Sequence, residues 1–211
     1  MKKVKLIFQG DSVTDARRDR RNYHHMGNGY PKYAAELLAD QHKDVEFEFI
    51  NMGIGGNRTC QLFDRLYRDA IAFEPDVISI LIGINDALHR HNSERVFTSD
   101  AQLEMNYRSI LELLKSRTNA KIVILQPFVL DSEGRDALRE DMKTVHPIIK
   151  HLADEFADVY IPLADIFEEA MKTQPLPKYY SDDGVHPNTN GAMLIGQKYA
   201  EALNHLIKEL R

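Results

Sequence analysis

The run Val77-Ile78-Ser79-Ile80-Leu81-Ile82 constrains the fold more than any other stretch of this chain. A strand with one wet face alternates apolar and polar residues, and this one does not. It therefore reads as a strand covered on both faces, the situation of a parallel sheet flanked by helices. Four further stretches read as strands: Val4 to Phe8, Val45 to Ile50, Lys121 to Leu125 and Val159 to Ile161. Between them lie apolar residues at helical spacing. Tyr30, Ala34, Leu37 and Leu38 share one face, as do Leu62, Leu66 and Ala70 within Thr59 to Phe73. Leu103, Tyr107, Ile110, Leu111 and Leu114 mark the next helix. Leu138, Met142, Val145, Ile149, Leu152 and Phe156 keep the same period, with a break or kink expected at Pro147. A short helix follows around Ala164 to Met171, and the chain closes on a helix that buries Ala192, Ile195, Tyr199, Ala202, Leu203, Leu206 and Leu210.

Strands that alternate with helices imply right-handed crossovers and one parallel sheet with helices on both faces. The expected architecture is α/β, a flavodoxin-like three-layer α/β/α arrangement with a five-stranded parallel sheet, its strand order taken from that fold class. No repeat, low-complexity tract or linker divides the chain, so residues 1–211 read as a single domain. A formal net charge of −5 argues against a nucleic-acid binder that relies on overall positive charge. One cysteine, Cys60, cannot form an internal disulfide, and nothing requires an oxidising compartment. The apolar run behind Met1-Lys2-Lys3 stops at Phe8, which argues against an export signal. No stretch is long and apolar enough to span a bilayer, and a cytoplasmic protein without nucleic-acid or membrane partners is expected.

Four turns carry residues capable of chemistry. The first strand runs into Gly10-Asp11-Ser12, which delivers a serine to the carboxyl edge of the sheet, where open α/β sheets bind ligands. The same tripeptide also suits a plain turn. The second strand runs into Asn51-Met52-Gly53-Ile54-Gly55-Gly56-Asn57-Arg58, whose glycines allow close backbone approach to a ligand. A dinucleotide fingerprint fails there, because the required third glycine would fall at Arg58. The third strand runs into Gly83-Ile84-Asn85-Asp86, and the Asn85 amide can donate to an oxyanion. Near the carboxyl end, Ser181-Asp182-Asp183-Gly184-Val185-His186-Pro187 places an acid three residues before a histidine. Such an acid can fold back onto Nδ1 and aim Nε2 at a hydroxyl.

In this order the four turns resemble the blocks of the SGNH hydrolases, the GDSL esterase/lipase family. Gly10-Asp11-Ser12 matches the first block, with Val13 where leucine is frequent. Gly56 matches the second, Gly83-Ile84-Asn85-Asp86 the third, and Asp183-Gly184-Val185-His186 the last. The resemblance implies a serine esterase with Ser12 as nucleophile, His186 as base and Asp183 as its acid partner. It also implies an oxyanion hole of the Ser12 and Gly56 N–H groups and the Asn85 side chain, with no metal or organic cofactor. Asp183 is preferred to Asp182 on the family's spacing to His186. Asp11 is expected to brace the turn.

The stretches His25-Met26-Gly27-Asn28-Gly29-Tyr30, Ile84-Asn85-Asp86 and Gln126-Pro127-Phe128-Val129 look most like the intracellular carbohydrate acetylesterases of the acetylxylan esterase type. That implies acetyl esters of sugars or small oligosaccharides as the small-molecule substrate. The polar loops Asp11 to Gly29 and Ala87 to Asp100 suit a polyhydroxy alcohol better than a long acyl chain. Tyr179, Tyr180 and Phe128 offer flat faces for a sugar or else pack internally. A lysophospholipase or thioesterase of broad specificity is the alternative within the class, and a non-catalytic binding module the alternative outside it. His24-His25 and His89-Arg90-His91 lack a completing carboxylate or cysteine at metal-ligand spacing and read as loop residues. Cys60 reads as a small packed residue. The mixed charges of Asp15 to Arg21 read as a solvated surface, with a part in gripping substrate left open by their nearness to Ser12. A homo-oligomer stays open.

Overall fold

A computed structural model describes residues 2–92 and 94–210. Five strands, β1 (Lys2–Gly10), β2 (Val45–Asn51), β3 (Val77–Leu81), β4 (Lys121–Leu125) and β5 (Val159–Ile161), form one sheet in the order β2-β1-β3-β4-β5. Every pairing is parallel. The order matches the flavodoxin-like expectation and puts the winding reversal between β1 and β3.

Alternation along the strands feeds two cores. Ile7, Ile78, Ile80, Ile122 and Ile124 point to one face, beneath α3 (Thr59–Asp69), α5 (Asp100–Arg117) and α6 (Asp136–Phe156). Val4, Leu6, Phe8, Val77, Val123 and Leu125 point to the other, beneath α2 (Tyr30–Gln41), α7 (Leu163–Met171) and α8 (Thr189–Glu209). β3 is buried throughout, as its uninterrupted apolar run requires. Both helical layers bury most of the faces their spacing marks, from Leu62 and Leu66 on α3 to Ile195, Tyr199 and Leu203 on α8. Ala202, expected on the buried face of α8, is exposed, and Ala200 and Ile207 are buried instead. Among the described residues no helix is long and apolar enough to cross a membrane.

Several local features differ from the expectation. The loop after β1 opens with a single helical turn, α1 (Ser12–Asp15), and Asn85 lies in another, α4 (Ile84–Leu88). Both are shorter than a helical period can reveal. α3 ends at Asp69, and a separate tight turn covers Ile71–Phe73. Finally, α6 does not break at Pro147. Pro147 and Lys143 both sit on its exposed side, so the carbonyl that loses its N–H partner lies toward water. Phe128 and Tyr180 are buried against Phe167, with ring centroids 4.5 and 5.7 Å apart, and serve packing.

Because Pro147 costs a helical hydrogen bond at an exposed position, Pro147→Ala should stabilise the protein by about 1 kcal/mol. Thermal unfolding should show the midpoint rising by about 2–4 °C. A fall would mean that the proline holds α6 in a shape the core needs.

Candidate active site

Ser12 is placed by a turn that tolerates no side chain at position 10. A Cβ on Gly10 would lie 2.3 Å from Thr14 Oγ1 and 2.5 Å from the Leu81 carbonyl oxygen. Asp11 caps the helical turn, its Oδ1 accepting from Val13 N–H at 3.0 Å, which is the bracing role expected of it. Burial drives the Asp11 carboxyl up to about 7, against the Val13 hydrogen bond and the His186 charge, while the Asp86 charge adds to the rise.

The His186 loop is held from several directions. Asp183 Oδ1 accepts from the N–H groups of Val185 (2.9 Å) and His186 (2.7 Å), which folds the acid back under the ring. Gly184 adopts φ +81, and a Cβ there would meet the Leu130 carbonyl oxygen at 2.7 Å. Arg135 donates from Nε to the Asp183 carbonyl at 2.9 Å, and Ser181 Oγ donates to the His186 carbonyl at 2.7 Å. The outcome is a line of three side chains: Ser12 Oγ to His186 Nε2 at 2.9 Å, and His186 Nδ1 to Asp183 Oδ2 at 2.7 Å. With Nδ1–H donating to the carboxylate, Nε2 is left as the acceptor for the serine hydroxyl. Burial raises the Asp183 carboxyl, but the hydrogen bonds from His186 and Val185 outweigh it and hold it at about 2. The carboxylate is thus charged at neutral pH.

The glycine turn wraps around α1. Gly53 N–H donates to Asn51 Oδ1 at 2.9 Å, and Asn51 Nδ2 donates to the Thr14 carbonyl at 2.8 Å. Gly55 N–H donates to Asp15 Oδ2 at 2.9 Å. Gly56 follows with φ +80 and open space on the side where a Cβ would project. Asn85 spends one amide hydrogen on the Asn57 carbonyl at 3.0 Å, which orients the second.

Two supports were not visible as site residues in the sequence. Arg65 is buried beneath the turns. It donates to the carbonyls of Gly10 (3.0 Å) and Met52 (2.7 Å) and to Asn57 Oδ1 (2.8 Å), and pairs with Asp69 at 3.1 Å. One guanidinium thus ties the serine turn to the glycine turn. The available signal was an arginine directly before Leu66 on the buried stripe of α3. Asp86, buried and raised by burial, accepts from Thr59 N–H (3.0 Å) and Oγ1 (2.7 Å) and so locks α4 to the start of α3.

The histidine pairs set aside in the sequence lie elsewhere. His24 Nδ1 contacts the Phe49 carbonyl, and His91 Nε2 pairs with Asp141 at 2.7 Å. Cys60 is half-buried. A cavity of about 990 Å³ opens at Ser12 and His186 and runs past Arg17, Arg18, Arg20 and Asn28.

The model of the GDSL-like Lipase/Acylhydrolase family matches residues 8–194, which include all of these groups. The chain belongs to that family. It is a GDSL-type ester hydrolase, and its relatives agree in sequence and shape. It is 30% identical over 202 residues to an acetylxylan esterase of Geobacillus stearothermophilus, covering 92% of this chain and 91% of that protein. A crystal structure of that esterase superimposes with a TM-score of 0.86 at 29% identity, covering 95% of this chain and 94% of the other. A protein described as a GDSL-like lipase from Parabacteroides merdae matches at TM-score 0.90 and 32% identity, with 96% of both chains covered. A thioesterase 1/protease 1/lysophospholipase L1 of Escherichia coli (strain K12) is 27% identical over 158 residues, 75% of this chain and 68% of that protein. Catalytic mutants of the Geobacillus esterase have been solved at a serine and at an aspartate and a histidine three positions apart.

The raised Asp11 predicts a pH signature. Between its ordinary value of 3.8 and about 7 the folded state binds the extra proton, so Asp11 erodes stability as pH rises through that window. Asn at this position keeps an oxygen for Val13 N–H. The stability of Asp11→Asn relative to wild type should therefore climb from pH 4 to pH 7 and level off above it, measured by urea unfolding. A pH-independent difference would mean that Asp11 is ionised throughout.

Proposed function

We propose that this GDSL hydrolase removes short acyl groups, acetyl foremost, from the hydroxyls of sugars or small oligosaccharides through an acyl-serine intermediate. Ser12 Oγ attacks the ester carbonyl carbon while His186 Nε2 takes its proton, and Asp183 stabilises the imidazolium that results. The negative charge that develops on the carbonyl oxygen is met by the N–H groups of Ser12 and Gly56 and by the free Asn85 amide hydrogen. His186 then gives its proton to the departing alcohol. Water, deprotonated by the same imidazole, releases the acid and restores Ser12. The observation that carries this reading is the unbroken Ser12, His186, Asp183 line at 2.9 and 2.7 Å. The aspartate and histidine of the acetylxylan esterase, at the same separation, support it.

The sugar-ester part rests on the likeness to that esterase over most of both chains and on a cleft rimmed by arginine, Asn28, Asn188 and Thr189. The E. coli relative keeps a thioesterase or lysophospholipase as the second reading.

Ser12→Ala should cut hydrolysis of acetylated xylooligosaccharides by about 10⁴-fold or more without loss of folding. Asn85→Ala should lose about 10²–10³ in kcat. A chain-length series of p-nitrophenyl esters should peak at acetate, and activity rising past octanoate would move the assignment to the lipid reading. Full activity in Ser12→Ala would remove Ser12 from the chemistry.

A further inference from the structure

Arg17, Arg18 and Arg20 all line the cleft that opens at Ser12 and His186, and Asp15 is the only acid among the described residues of that lining. Asp15 is already committed. Its Oδ2 is gripped by Arg20 through Nε (3.1 Å) and Nη2 and also accepts from Gly55 N–H at 2.9 Å. Arg21 pairs with Asp19. Two guanidinium groups remain unmatched by any carboxylate at ion-pair distance among the described residues. Arg18, only 9% exposed, gives Nε–H to the Gly53 carbonyl at 2.8 Å and has a buried Nη1 with no partner. Arg17 is exposed on the rim. A chain of net charge −5 thus concentrates uncompensated positive charge in its catalytic cleft.

The backbone adds an independent observation. Ala16 and Arg17 have φ of 38 and 62. Side chains with a Cβ are strained in this left-handed region, where glycine sits freely. Strain of this kind collects where a side chain must be aimed for function.

The arginines face a definite part of the substrate. His186 must hand its proton to the leaving oxygen, so the alcohol portion of the ester lies on its side of Ser12. The cleft runs on that side, past Pro187, Asn188 and Thr189, whereas Gly56 and Asn85 are not part of its wall.

We propose that the cleft selects esters whose alcohol portion carries an anionic group, a sugar carboxylate or a phosphate, seated against Arg17 and Arg18. The inference rests on the ester-hydrolase reading of Ser12 and narrows its substrate class. Planar guanidinium groups suit both anions, which they can bind through paired N–H groups.

The test compares kcat/KM of the whole protein for three matched acetyl esters: a neutral methyl glycoside, the corresponding uronic acid and the corresponding 6-phosphate. At least one anionic ester should be preferred about tenfold, the low end for a hydrogen bond between charged groups, and high salt should shrink the preference. The uronic acid and phosphate arms distinguish the two sources of the anion. Arg17→Gly should fold with an undiminished melting temperature, since it relieves the left-handed strain, and should lower the ratio of anionic to neutral kcat/KM. A purely structural arginine would instead lower the melting temperature and change all three esters alike. Equal kcat/KM for the three esters, with a ratio unmoved in Arg17→Gly, overturns the proposal and leaves the esterase intact. No hydrolysis of any ester would strike the ester-hydrolase reading, and the proposal with it.

Discussion

The hydrogen bond from Ser12 Oγ to His186 Nε2 joins residues 174 positions apart, and the rest of the structure serves to make it short. Closing so long a stretch of chain carries an entropy cost that one hydrogen bond does not repay, so the contact depends on the sheet that brings its two ends together. The sheet supplies the meeting place. Parallel pairing brings the carboxyl ends of β1, β2 and β3 to one rim, and the reversal of winding between β1 and β3 opens a crevice there. α8 packs along α2 on the face of β1, so the loop that precedes it arrives at the same rim with His186.

Beneath the rim the protein keeps an unusual concentration of buried polar groups. Arg65, Asp69, Gln9, Asp11 and Asp86 are all nearly or fully buried. Arg65 spans carbonyls from two turns, Asp86 spans α4 and α3, and Asp15 spans Arg20 and the Gly55 amide. Each bond is modest by itself. Their joint effect is to fix three peptide turns in a rigid relation, as preorganised stabilisation of a developing oxyanion demands. Within this network Arg18 is incompletely satisfied, and burial raises both Asp11 and Asp86.

How far the sequence reveals this arrangement depends on the length scale of each feature. The strands, the long helices and the parallel class were legible, because apolar runs such as Val77 to Ile82 and the faces of α5 and α8 repeat over many residues. Ser12, Asn85 and His186 were legible as candidates because each stands at a strand exit or in a tight turn, whereas Gly56 among its neighbouring glycines and Asp183 over Asp182 were singled out by the family resemblance. Their mutual distances were not, since strand order came from the fold class. α1 and α4 escaped because one turn of helix has no period. The break allowed for at Pro147 does not occur, because local propensity ignores which side of the helix faces water. Arg65 escaped because a single charge between Leu62 and Leu66 reads as a surface residue until the turns above it are placed. Phe128 and Tyr180 could not be told from sugar-stacking faces until Phe167 was seen between them.

The most direct measurement of the central claim is covalent labelling with an organophosphonate, mapped by mass spectrometry, in wild type and in His186→Ala. Ser12 should be phosphonylated stoichiometrically in the wild-type protein, and labelling should slow by orders of magnitude once the imidazole is removed. A folded wild-type protein that stays unlabelled at Ser12, or labels at the same rate without His186, would contradict that claim.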